Sequence, residues 1–428
     1  MNISKDISEL VTANVISQET ASKIQNYYKE KGIKSSNKIL VIFGILGALL
    51  IGLGVILIVA HNWDEFSKTI KLFFAFLPLV IAQIISGYSL IKKSENSAWK
   101  ESSATFLFFT IGANISLIGQ IYNLHENLGF FLLTWMLIFF PIIYVMKSST
   151  ASLLYIIGIT FYACETGYWA FPISESINYW ILLILIFPFY YLLYKKNPQS
   201  NFFNIHNWVI PLSITISLGI VADNFEEFLY IAYFNLFILF HIIGSSEFFK
   251  NQKAKINGYT FFGSLGIVVI LLILSFDWFW ESLRNKYFNF REILISPEFL
   301  VSMLISLLAI GLLIKNSKVK SANEINPVYY SLILFIVIFF IGIHLSISVI
   351  FINLLVLAIG IITIKQGIKQ NHLGILNYGL LIITALITCR FFDSDLTFIT
   401  RGIIFIIVGI GFFSANYWIL KKRKLDEK

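Results

Sequence analysis

Residues 39–60 form an apolar run that stops abruptly at His61, Asn62, Trp63, Asp64 and Glu65. About twenty such residues in a helix cross a hydrocarbon core of roughly 30 Å. Inside that core the backbone must satisfy its own hydrogen bonds, which leaves a helix as the form open to such a segment. The pattern recurs at 69–91, 103–122, 128–146, 150–170, 177–194, 205–222, 228–246, 256–276, 297–314, 326–343, 345–364, 374–390 and 397–420. Charged residues make up only 13% of the chain and mean hydropathy is +0.79, against about 25% charged in soluble domains. The expected fold is therefore all-α, a polytopic transmembrane helix bundle of about 14 spans.

Residues 1–38 are polar and lack the short apolar core and small-residue cleavage site of a signal peptide, so they are expected to be retained on the side of synthesis. Ile7, Leu10 and Val11, then a restart at Ser17 with Ala21, Ile24 and Tyr28, read as two short amphipathic helices around a turn. Such a cytoplasmic helical hairpin is too small to hold a core of its own. It is expected to pack on the membrane part, on a cytoplasmic partner, or on a second copy in a homo-oligomer.

Threading fourteen helices from a cytoplasmic N-terminus puts most of the 32 Lys and Arg inside, leaving Lys68, Lys71, Arg284, Lys286, Arg291, Arg390 and Arg401 outside. Omitting one helix would invert Lys195, Lys196 and the lysines of 250–255 and 315–320, so the bias favours an even count with both termini cytoplasmic. The same bias explains a net charge of +8 without a nucleic-acid partner. The chain divides into the hairpin at 1–38, a first transmembrane half at 39–222 and a second at 223–428. GSLGIVVILLILSFDW in the second half faintly echoes GLGVILIVAHNW of the first span, a hint of duplication.

Pro78, Pro141, Pro188 and Pro211 fall inside first-half spans, whereas Pro297 and Pro327 begin theirs, where proline costs little. Each internal proline frees a carbonyl that needs another donor, which suits a cavity wall or a gating helix. Gly44, Ala48 and Gly52 recur every four residues, a small-residue face that lets another helix come close. The outer loop 277–296, with Trp278, Phe279 and Trp280 among basic residues, reads as an interfacial amphipathic helix or as a lid.

Polar groups inside the spans serve either function or helix pairing. Asn114, Ser116 and Gln120 share the third span, with Ser116 and Gln120 on one face. Gln83, Asn235, His241, Asn353 and Asn416 are single polar groups for which helix pairing is the default. Glu165 is the one acid read as well inside a span, and Arg390 or Arg401 at similar depth would neutralise it, against the alternative of a proton- or substrate-coupling carboxylate. His61, Asp64, Glu65, His125, Glu126 and Asp393 are metal-ligand types on the outer surface, yet nothing in the sequence brings them together. Cys164 and Cys389 are read as buried, inert thiols, and no zinc spacing, HExxH, GxSxG or phosphate-loop motif occurs, so neither catalysis nor a cofactor is expected.

Three stretches, VISQETASKIQNYYKEKG, AHNWDEFSKTIKL and IGANISLIGQIYNLHENLGFFLLTW, resemble the DUF2157 family of predicted bacterial membrane proteins over about residues 1–145. The resemblance rests on Asn62, Trp63 and Asp64 after a first span, on Lys71, and on Gln120 and Tyr122 ahead of a span containing Trp135. The family favours a Gly-acid pair near where this chain has His125 and Glu126, so the resemblance gives the acidic role to Glu126 and makes His125 a departure. It implies an integral inner-membrane protein and supplies neither reaction nor substrate.

The expectation is therefore a bilayer protein whose outward cavity, between a kinked first half and a straighter second half, binds or translocates a small-molecule or lipid-like, amphipathic ligand. Asn62, Trp63, Asp64, Lys71, Asn114, Gln120, Tyr122, Glu126, Glu165, Arg390 and Arg401 are its candidate residues. Asp64 and Glu126 would make the rim negative, favouring a cationic or zwitterionic ligand. The plainer possibility is that Asn62 or Asp64 caps the next helix. The rival reading is a non-transporting scaffold or sensor that acts through residues 1–38.

Overall fold

The computed structural model describes residues 7, 10–11, 13, 15–61, 66–124, 127–169, 177–250, 257–286, 288–319, 326–392, 397–399, 401–403, 405–407, 409–411 and 413–414. Among these there is no strand. The chain forms two compact units, Met1–Val209 and Ile210–Lys428.

In the first unit α1 (Gln18–His61) is followed by α2 (Lys68–Lys92), α3 (Ser97–Ile121), α4 (Leu128–Met146), α5 (Ser149–Cys164), α6 (Ile177–Lys196) and α7 (Asn201–Leu218), which runs past the unit's end. The expected hairpin differs at its second arm. That arm does not end before the first span but continues through it as one 44-residue helix. Gly32 lies within that helix, where a glycine costs only about 1 kcal/mol relative to alanine. Short polar side chains start the helices as the sequence rules require: Ser67, Asn96, Asn127 and Ser148 each accept from amides in the following first turn. The cap of α2 is thus Ser67, in place of Asn62 or Asp64.

Helix α3 is the hub of this unit, packing against α1, α2, α4 and α5. Its buried side chains run from Glu101 to Ile121. Ala75 of α2 meets Leu117 and Ile121, while Phe108 lies 4.5 Å from the Trp135 ring and 4.8 Å from Phe139 of α4. Two side chains bond helix carbonyls that lie close to prolines. Asn114 Nδ2 donates to Ala75 O at 2.9 Å, three residues before Pro78, and Tyr144 Oη donates to Leu185 O at 2.5 Å, three residues before Pro188. Helix α5 ends in a π turn, Glu165–Trp169.

In the second unit a 3-10 turn, Glu226–Phe228, leads into α8 (Leu229–Gly244), followed by α9 (Gly258–Ile273), α10 (Asp277–Arg284), α11 (Phe290–Ile295), α12 (Pro297–Val319), α13 (Ser331–Gly342), α14 (Ser348–Lys369) and α15 (Leu373–Phe391). Helix α8 packs on α9, α12 and α13, and α14 pairs with α15. Phe234 and Phe335 stack at 4.0 Å between α8 and α13. The chain bends by 68° between α9 and α10. Helix α10 is strongly amphipathic: Phe279, Trp280 and Leu283 are buried and Trp278 is exposed. Trp280 Nε1 donates to Leu274 O at 2.8 Å, and its ring fills the space where Gly342 lacks a side chain. The helix is therefore wedged into the bundle.

Among the described residues nine helices are long and apolar enough to cross a membrane, or ten if α9 and α10 form one broken span. About 14 were expected. The run at 39–60 lies within the 44-residue α1, and among the described residues its apolar stretch is Ile39–Gly54; the others lie on α5, at 16 residues, on Pro327–Gly342 and on Arg401–Gly411. For α5 the apolar run passes the end of the α-helix into the π turn, which hydropathy does not report.

Candidate functional site

Asn62, Trp63, Asp64 and Glu126, with Glu65, His125 and Asp393, lie outside the described residues, and so does the expected outer rim. Of the rest, Lys71 is half-buried in the first turn of α2, and Gln120 and Tyr122 are exposed at the end of α3. Asn114 is buried and its amide ties α3 to α2, a helix-pairing role. Asn235 likewise bonds Ser306 Oγ at 2.6 Å, His241 bonds Tyr329 at 3.2 Å, and Asn353 donates to Ser275 O at 3.1 Å. Glu165 is half-buried and opens the π turn, a local break that often marks functional sites. In the second unit Arg390 reaches Ser275 Oγ at 3.2 Å and lies 4.3 Å over the Phe276 ring, and Arg401 lies 5.0 Å over Phe398. Among the described residues no group of three His, Cys, Asp or Glu side chains could hold a metal ion.

Three buried polar groups were not picked out from the sequence. Glu101, on α3, accepts from the Ser148 hydroxyl, from Ser149 N at 3.1 Å and from Thr150 N at 2.8 Å, so its carboxylate sits on the amino end of α5. Glu298 is fully buried; its Oε1 accepts from Asp223 N at 2.7 Å and Phe225 N at 2.9 Å. Both acids adjoin span starts, at 103 and 297, where hydropathy gives no sign of an inward carboxylate. His206 is also fully buried, with Nδ1 against Phe202 O at 2.7 Å and Nε2 against Ser152 Oγ at 2.9 Å. A carbonyl can only accept, so Nδ1 carries the proton and Nε2 takes the serine hydroxyl's.

The concave site of the first unit arises because α1 and α2 both lean chiefly on α3. Between them a cavity of about 530 Å³ is walled by Phe43, Gly44, Gly47, Ala48 and Ile51 of α1, by Ile81 and Ile85 of α2, and floored by Ala98, Trp99, Ser102, Ser103 and Phe106 of α3. That volume lies within the roughly 300–1,000 Å³ of small-molecule sites. The small-residue face of α1 shapes it. Cβ atoms added at Gly44 and Gly52 would stand 2.4 Å from Ser102 Oγ and 2.9 Å from Phe109 Cβ, so these two glycines let α1 approach α3. Gly47 has nothing within 4 Å of its missing Cβ and opens onto the groove.

At one end Trp99 meets the Tyr88 ring edge-on at 5.4 Å. Lys92 lies one turn beyond Tyr88, followed by Lys93, and Lys100 follows Trp99. This end is the one from which α3 starts, opposite Gln120 and Tyr122. An apolar channel that finishes at paired aromatic rings and ammonium groups has the polarity of a membrane interface.

Residues 8–152 match the family model described as a predicted membrane protein, DUF2157. The match bears out the resemblance read from the sequence and spans every residue that lines the groove. No curated protein and no solved structure matches the chain.

Proposed function

We propose that this membrane protein binds the apolar tail of an amphipathic, lipid-like molecule in the groove between α1 and α2. The observation that carries this reading is the groove itself: about 530 Å³, walled almost wholly by apolar side chains and ending at Trp99 and Tyr88. Burying a tail there would be worth about 0.8 kcal/mol per methylene if the groove were wet, and less against lipid, so selection rests on shape and on the end groups. The proposed setting is the inner membrane, with about fourteen spans and both termini cytoplasmic. Translocation extends this reading, supported by the prolines inside α2, α4, α6 and α7.

The scaffold or sensor reading draws on a different feature. Helix α1 carries some twenty residues ahead of its apolar run, a rod on which a cytoplasmic partner would find purchase. The two readings part under one experiment. Gly47→Trp fills the groove without disturbing the α1–α3 contact, because Gly47 faces open space. A binding protein then loses co-purifying lipid, measured by native mass spectrometry from detergent. Unchanged lipid retention would refute the groove as a binding site.

A further inference from the structure

Charge at the groove's end narrows the ligand class. Lys92 closes α2, Lys93 begins the four-residue turn that follows, and Lys100 stands in the first turn of α3, so three ammonium groups belong to this connection. Two carboxylates are nearby in sequence. Glu95 is exposed in the turn, and Glu101 is withdrawn: it is buried and occupied by Ser148, Ser149 and Thr150 at the start of α5. The balance of exposed charge about this turn is therefore positive. None of the three lysines is in an ion pair among the described residues, where the pairs are Lys23–Glu19, Arg284–Asp277 and Lys286–Glu227.

The ring pair sets the depth of the site. Tyr88 and Trp99 pack edge to face where the apolar lining gives way to the lysines, the level at which amphipathic rings settle between headgroups and acyl chains. Below them Ile85, Ile81, Gly47 and Ile51 carry no charge.

Resting on the reading that this groove takes an amphipath, we propose that its occupant is an anionic phospholipid, with the phosphate among Lys92, Lys93 and Lys100 and one acyl chain lying past Trp99 along Gly47. A cationic or zwitterionic preference was expected of the outer rim, from Asp64 and Glu126. The groove's own end has the opposite sign.

The test uses the full-length protein in detergent with phosphatidylglycerol and phosphatidylcholine of identical chains, retention being read by native mass spectrometry. A lysine near an anionic surface contributes roughly fivefold in affinity, so three should give phosphatidylglycerol at least a tenfold preference at low salt. Replacing all three, Lys92→Gln with Lys93→Gln and Lys100→Gln, should bring the preference close to one while phosphatidylcholine is still retained. The three Lys→Arg changes should preserve it. On the unaltered protein, raising salt from about 0.05 M to 0.5 M should erode the preference, because these charges are screened within a Debye length of about 10 Å at 0.1 M.

Equal retention of both lipids by the unaltered protein, or a preference that survives the glutamine variant, overturns the headgroup assignment and leaves the groove reading standing. Retention of both lipids by Gly47→Trp overturns the groove reading itself. A fall in oligomer size with Gly47→Trp and no loss of lipid would show that a second copy of α1 fills the groove, which overturns the lipid proposal as well.

Discussion

Replacing Glu101 with Gln is the sharpest probe of how the first unit is held together. The carboxylate accepts from one hydroxyl and two backbone amides at the start of α5, and its residue is 3% exposed. A carboxamide is nearly isosteric but turns one acceptor oxygen into a donor. Its NH2 then faces either Ser148 and Thr150, which share Oε2, or Ser149, which bonds Oε1. At least one buried amide is left unbonded, at about 1–3 kcal/mol. The interaction of a negative charge with the helix terminus is lost as well, at about 0.3–1 kcal/mol. The expected destabilisation is about 2–3 kcal/mol, read as a shift in the SDS-induced unfolding midpoint in mixed micelles. Glu95→Gln, on the exposed turn nearby, is the control and should change little. Ser148→Ala in the Glu101→Gln background should cost less than it does alone, since the two groups share a bond. A Glu101→Gln effect below about 0.5 kcal/mol, matching the control, would refute the view that this carboxylate anchors α5.

Three further outcomes are expected. Asn114→Ala should cost about 1 kcal/mol, because it removes the bond that ties α3 to the Ala75 carbonyl of α2; a loss below about 0.5 kcal/mol in thermal melts would show that the bond does not hold the two helices together. Gly342→Ala should be severely destabilising, because its Cβ would stand 2.0 Å from Trp280 Cζ3, whereas Gly311→Ala meets nothing within 4 Å and should be tolerated; thermal melts that fail to separate the two would unseat the wedge. In whole cells a membrane-impermeant thiol reagent should label a cysteine at Ser67 and spare one at Ser317, against a background with Cys164 and Cys389 replaced, and the reverse pattern would invert the proposed threading.

Hydropathy located the helices closely: the run at 128–146 coincides with α4, and those at 69–91 and 374–390 end within a residue or so of α2 and α15. The prolines were equally legible, since Pro78, Pro141, Pro188 and Pro211 all fall inside helices as their spacing within the apolar runs required. Asn114 itself was read as either solute-lining or pairing, and only its distance to Ala75 decides that. Glu101, Glu298 and His206 were missed because a buried acid or imidazole is recognised by what it bonds to, and their partners lie about fifty to seventy-five residues away. The groove was half visible. Gly44, Ala48 and Gly52 announced a close-packed face on α1, but the open position at Gly47 depends on α2 standing off from α1, which no local pattern encodes.

The unbroken length of α1 has a mechanical consequence. At 1.5 Å per residue its 44 residues make a rod of about 66 Å, more than twice the roughly 30 Å of a hydrocarbon core. Because α1 leans chiefly on α3, the contacts at Gly44 and Gly52 act as a fulcrum. A pull on the polar arm that tips the rod by about 5° would displace a point 30 Å away by about 2.6 Å on the helix dimensions alone. The groove wall at Gly47 lies between the two contact points, close to the pivot, so tipping would barely move it, while rotation of the rod about its own axis would carry Phe43, Gly47 and Ile51, which share one face, together towards or away from the groove. A torque, more than a tilt, is the motion through which events at the aqueous end would reach the groove.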